Sequence, residues 1–218
     1  MKKEKGKIRL LVALPNHELP PRENTPGIGT GRHRMLQAMD YNVFSITTVC
    51  NATDFGERTD NPKYTSVIIP KLGFLLWTIR IIPERIRKFL WGVGSVNKSY
   101  RCWTIFIYTI LRINRFDIVI IHNYSAPAEW LIILKGLLRF KTKIIYYYHS
   151  SGIKNFLSKH KTILRADGLI TIADESSKYF SDLKHVNIIN NYNRKYDSIQ
   201  IIGRDSDIGK QPLRVICS

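Results

Sequence analysis

The sequence is short of acid. Thirty-four lysines and arginines stand against 17 aspartates and glutamates, giving a formal net charge of +17 and a pI near 9.9. Such an excess predicts an anionic partner: nucleic acid, a phosphorylated substrate or an acidic membrane. Cysteine is scarce as well. Cys50, Cys102 and Cys217 lie far apart and form no C-x-x-C pair. The odd count excludes a self-contained disulfide framework and suits thiols in a reducing cytoplasm. No uncharged apolar stretch reaches the ~18 residues that a membrane-crossing helix needs. The apolar run at 8–15 is too short for a secretory signal and lacks a cleavage pattern. There is no Walker-type Gly-Lys-Ser/Thr and no internal repeat. No third histidine or carboxylate has clear ligand spacing, so no metal is expected. Hydrophobic residues make up 44% of the 218, which predicts a packed core in one sizeable domain or two small ones.

What is present is a set of three apolar runs with polar chemistry at their ends. Asp117-Ile-Val-Ile-Ile-His122-Asn123 is the first, and the second runs from Lys143 through three tyrosines to His149-Ser150-Ser151. The third runs from Ala166-Asp167 to Ala173-Asp174-Glu175-Ser176. A continuous apolar run suits a strand covered on both faces, as in a parallel sheet. Ligands bind such sheets just beyond the carboxyl ends of the strands.

Further strands are expected at 8–15, 42–49 and 64–69, a short one at 187–189, and one beginning at 213–217. Helices are expected at 31–39, 126–138, 153–164 and 176–183, with two more inside 71–115 broken near 92–95. Strands alternating with helices predict a doubly wound α/β domain: a Rossmann-like, mostly parallel sheet with helices on both faces. Residues 206–212 read as a linker.

Candidate chemistry gathers at four places. The cluster Gly27-Ile28-Gly29-Thr30-Gly31-Arg32 opens a helix, where backbone N–H groups and the helix terminus favour an anion. It serves equally well as a conformational loop. His122 and His149 both stand at strand ends. A lone histidine there is commonly structural, but two at neighbouring positions on the ligand side favour function. Segment 71–115 is aromatic and basic, with Trp77, Trp91 and Trp103 among arginines and a single acid, Glu84. It reads either as a helical layer over the sheet or as a surface lying on an anionic bilayer. Such a pattern also suits single-stranded nucleic acid, but no RNA or DNA module is recognisable, so nucleic acid is not the expected partner.

These residues, in this order, resemble the N-terminal domain of family 4 glycosyltransferases, which have the GT-B fold. The family shows a first strand, a Gly-rich loop opening a helix, a "DIVHVHN"-like strand, a strand ending in Thr-x-His, an "AD-x-VI-x-VS" segment and a "VIPNGVD"-like turn. Residues 8–15, 27–32, 117–123, 147–150, 166–176 and 186–194 look like these in turn. The family's Gly-His before its second strand is replaced by Met39-Asp40-Tyr41-Asn42, and the turn is degenerate at Asn190-Asn191-Tyr192-Asn193-Arg194.

The resemblance implies a retaining-type enzyme that moves a sugar from a nucleotide-sugar to a lipid-linked or polysaccharide acceptor. It implies no cofactor and no metal. His149 would contact the donor sugar near the reacting carbon. Gly29, Gly31, Ser150 and Asn191 would face the donor, and Arg32, His122 and Asn123 would line the acceptor side. The resemblance also implies residues 1–205 as the acceptor-side domain, and 206–218 as a linker and first strand of a nucleotide-binding domain. These 218 residues do not hold that second domain, so this chain alone is expected to lack most of its activity. Its expected place is the cytoplasmic face of a membrane, held peripherally through 71–115. Two rivals stay open: a non-catalytic half paired with a separate nucleotide-binding chain, and a basic nucleic-acid-binding protein whose affinity would fall steeply with salt.

Overall fold

The computed structural model describes residues 6–15, 28–51, 63–122, 124–148, 153–171, 188–190, 199–201 and 215–217. Seven strands form one sheet: β1 (Ile8–Leu14), β2 (Phe44–Asn51), β3 (Thr65–Ile69), β4 (Ile118–His122), β5 (Lys143–Tyr148), β6 (Gly168–Thr171) and β7 (Ile188–Asn190). Their order is β3-β2-β1-β4-β5-β6-β7, and every neighbouring pair is parallel. A separate antiparallel pair joins β8 (Ile199–Ile201) to β9 (Val215–Cys217). The chain is therefore Rossmann-like, as the alternation of strands and helices predicts.

Side-chain alternation divides the core between the two faces. Leu10, Val12, Leu14, Ile118, Ile145, Tyr147 and Ile170 face one side, where Leu36 and Met39 bring in α1 (Ile28–Ala38) and its exit. Leu11, Ala13, Val119, Ile121, Ile144, Tyr146 and Leu169 face the other. There they meet Ile105 from α4 (Val96–Arg112), Leu131 from α5 (Ser125–Leu138) and Leu157 from α6 (Ile153–Lys159). Helices on both faces explain why the central strands are continuously apolar.

Two aspartates at strand entrances pin neighbouring strands. The Asp117 carboxylate accepts from the Arg9 backbone N–H at 2.8 Å and from its guanidinium at 2.6 and 3.1 Å. That pairing raises the Arg9 pKa above its ordinary value. Asp167 accepts from the backbone N–H of Ile144 at 2.7 Å and from Lys135 Nζ at 2.5 Å, tying the start of β6 to β5 and α5. Asp167→Ala leaves the Ile144 amide without this acceptor. It is expected to lower stability by about 1–3 kcal/mol, read as a lower urea midpoint.

The segment 71–115 differs from expectation. It holds three helices, α2 (Gly73–Ile81), α3 (Glu84–Trp91) and α4, rather than two. Pro83 makes the additional break, because it disfavours helical backbone at the preceding residue. Ile82 is accordingly extended, with φ −65° and ψ 124°, and Pro83 occupies the N-cap position of α3. The second break falls at Gly92, whose φ of 68° closes α3 as its N–H donates to the Lys88 carbonyl at 2.9 Å. Elsewhere α1 begins at Ile28, earlier than expected, so Gly29 and Gly31 lie within its first turns. The strand expected at 187–189 is β7, and that expected from 213 is β9. β8 was not expected. The helix expected at 176–183 lies outside the described residues.

Candidate functional site

Strand order reverses between β1 and β4. The connection after β1 enters α1 on one face, and the connection after β4 enters α5 on the other. The carboxyl ends of these two strands therefore flank a topological switch point, the usual crevice for ligands in an open parallel sheet. His122 ends β4 at this place and is 1% exposed.

His122 and Tyr147 are register partners on β4 and β5. Their rings stack at 4.7 Å with 19° between planes. Arg32, from α1, sets its guanidinium carbon 3.7 Å from the Tyr147 ring centroid. Its Nη1 also approaches Met35 Sδ at 3.2 Å. The result is a three-layer stack of guanidinium, phenol and imidazole, assembled from three elements at one rim. A cation held over an aromatic face is stabilised by the ring quadrupole, more so when desolvated, and Arg32 is only 6% exposed. A second buried histidine, His33 of α1, sets its Nδ1 2.7 Å from the Oη of Tyr64, which stands at the amino end of β3.

The structure thus brings together Arg32, His122 and the opening turns of α1 that hold Gly29 and Gly31. Asn123, His149, Ser150 and Asn191 lie outside the described residues. Sequence reading missed Tyr147, the ring that joins Arg32 to His122. The signal was alternation along β4 and β5, which places Tyr147 on the face of His122. It also missed Asn51 at the end of β2. The Asn51 side-chain oxygen accepts from Thr104 Oγ1 at 2.7 Å, and its amide donates to the Arg101 carbonyl at 3.4 Å, fastening the rim to α4.

Among the described residues no group of three or more His, Cys, Asp or Glu side chains is placed to hold a metal ion. Cys50 and Cys102 are buried thiols, not joined in a disulfide. Burial pushes the Cys102 thiol up to about 12, and reactivity requires the thiolate. Neither thiol is expected to react with iodoacetamide at pH 8 in the folded chain, and both are expected to react in denaturant, which mass spectrometry distinguishes.

α2 and α3 form an outer layer over α4 and α5, held in part by the Trp130 indole N–H donating to the Leu90 carbonyl at 2.7 Å. Within this layer the tryptophans separate. Trp77 is 59% exposed, whereas Trp91 is buried and Trp103 is half-buried against Phe106 at 5.8 Å. The outward rings are Trp77 with Phe74 and Phe89, not all three tryptophans, because Trp91 and Trp103 are drawn into a core of their own. Arg87 also turns inward, donating to the Gly94 carbonyl at 2.7 Å and to that of Ile82. Arg80, Arg85 and Lys88 remain on the surface. No described helix is long and apolar enough to cross a membrane.

The fold and this rim define a Rossmann-like α/β chain with a cationic, aromatic carboxyl edge. No family model matches its sequence, and no curated protein does. Among solved structures it is similar to the C-terminal domain of the coenzyme A biosynthesis bifunctional protein CoaBC. Identity is 9% and the TM-score 0.42, over 78% of this chain and 75% of that one. At that level of likeness nothing about activity passes from one to the other.

Proposed function

We propose that this chain is the acceptor-side half of a retaining-type glycosyltransferase working on an anionic membrane surface. The observation that carries the reading is the Arg32–Tyr147–His122 stack at the switch point of the parallel sheet. It sets a fixed positive charge and planar rings beside the opening turns of a helix. The three side chains are buried, so the stack works by fixing α1 against β4 and β5, which holds the opening turns of α1 at the rim, where a helix N-terminus favours an anionic group of the acceptor. The ordered motifs from 8–15 to 186–194 support the same reading, as do the outward rings and cations of α2 and α3.

In the reaction, the bond between the sugar's anomeric carbon and the donor phosphate breaks. The nucleoside diphosphate leaves with the electron pair, an acceptor oxygen bonds to the anomeric carbon, and the acceptor loses its proton. Stabilising the departing diphosphate is a large share of the barrier reduction in such a step. That task belongs to a nucleotide-binding half, supplied by further sequence or by a partner chain.

The test is transfer of labelled sugar from UDP-glucose, UDP-N-acetylglucosamine and GDP-mannose to membrane lipid. The 218-residue chain alone is expected to transfer none, and chain plus nucleotide-binding half to transfer from at least one donor. Turnover by the bare chain at roughly 1–1000 per second would overturn the half-enzyme reading.

A further inference from the structure

Beneath the outer helices lies a cavity of about 550 Å³, enclosed by α2, α3, α4 and α5. Leu75, Ile79, Trp91, Trp103, Phe106 and Leu134 form much of its wall. Two polar groups on that wall are already engaged. The Thr78 hydroxyl donates to the Leu75 carbonyl at 2.8 Å, and the Trp130 indole N–H donates to the Leu90 carbonyl. The Cys102 thiol stays neutral. Volume falls within the ~300–1,000 Å³ of small-molecule sites, and the wall is overwhelmingly apolar. Apolar cavities of this kind exclude water and accept hydrocarbon. The cavity is partly open to the surface.

We propose that this cavity takes one hydrocarbon chain of an anionic membrane lipid. The proposal rests on the membrane-facing part of the function proposed above. Charge selects the occupant. Every charged residue of 71–115 except Glu84 is a lysine or arginine; α2 and α3, which wall the cavity, carry Arg80 and Arg85 on their outer faces, and Lys88 there is paired with Glu84 at 2.6 Å. The same helices expose Phe74, Trp77 and Phe89. An anionic headgroup would meet the cations while its chain enters between the helices. A lipid drawn partly out of the bilayer in this way would anchor the chain beyond surface adsorption.

The four tryptophans lie one on each of α2, α3, α4 and α5, and three of them, Trp91, Trp103 and Trp130, line the cavity. Trp77→Phe therefore leaves only cavity reporters. Titration of that variant with a monomeric fatty acid brominated at mid-chain is expected to quench fluorescence saturably, at one chain per protein. Adding Thr78→Phe or Leu134→Phe, which fill the cavity from α2 and α5, is expected to weaken quenching at least roughly tenfold. Sedimentation with phosphatidylglycerol vesicles should persist in both. Quenching that does not saturate, or that both fillings leave unchanged, would overturn the proposal. If neither filled variant folds, the stoichiometry in Trp77→Phe decides. A chain that binds the fatty acid yet ignores vesicles would defeat the membrane reading instead.

Discussion

Replacing Phe74, Trp77 and Phe89 together by alanine is expected to weaken binding to phosphatidylglycerol vesicles by roughly a hundredfold. Full burial of an aromatic or large aliphatic side chain is worth about 1.5–3 kcal/mol, and each tenfold in affinity about 1.4 kcal/mol. Partial insertion of three rings, at on the order of 1 kcal/mol each, reaches a hundredfold. The rings are 79%, 59% and 84% exposed, so the folded chain has little to lose from their removal. Its urea midpoint should move by no more than about 0.5 kcal/mol's worth per substitution. This separation of effects is what a docking surface predicts and a core does not. Added salt should weaken the parent's binding too, because each surface Lys or Arg contributes about 1 kcal/mol near an anionic leaflet. Equal binding to neutral vesicles, or no loss in the triple variant, would remove α2 and α3 from the account.

The second large effect is on stability. Tyr147 is buried in the α1-side core and lies between the Arg32 guanidinium and the His122 imidazole. Tyr147→Ala removes the ring and leaves a void beside a desolvated cation. Large-to-small changes of this kind cost about 3–5 kcal/mol, a large part of the ~5–15 kcal/mol that holds a domain folded. Tyr147→Phe keeps the ring and the stack, and is expected to cost about 1 kcal/mol, the worth of a hydroxyl's hydrogen bonds. Denaturant titration of both variants checks the contrast. Equal losses would place the importance of Tyr147 in its hydroxyl rather than its ring.

The sheet was legible because burial on both faces leaves a plain mark: Asp117-Ile-Val-Ile-Ile-His122 cannot be an amphipathic helix or a one-sided strand. Its carboxyl end, and so the place of His122, followed from the same mark, whereas the switch point depends on the strand order. The pairing of Arg32 with Tyr147 was not legible. It depends on how α1 crosses the sheet, which local pattern does not encode, although alternation on β5 could have put Tyr147 beside His122. Pro83 was a readable break that the apolar continuity of 71–91 concealed. The aromatic count of that segment misled in another way. Composition does not say which rings a helix turns inward, and Trp91 and Trp103 belong to the inner side. β8 was lost because Ile199-Gln-Ile201 is too short to stand out from its polar surroundings.

The most direct measurement compares three proteins, each supplied with a nucleotide-binding half: the parent chain, His149→Ala and Arg32→Ala. Sugar transfer to membrane lipid is followed as kcat and KM. The parent is expected to transfer sugar, His149→Ala to lower kcat more than it raises KM, and Arg32→Ala to change mainly KM. No transfer from any donor with both halves present, or equal kinetics in all three proteins, would contradict the proposed function.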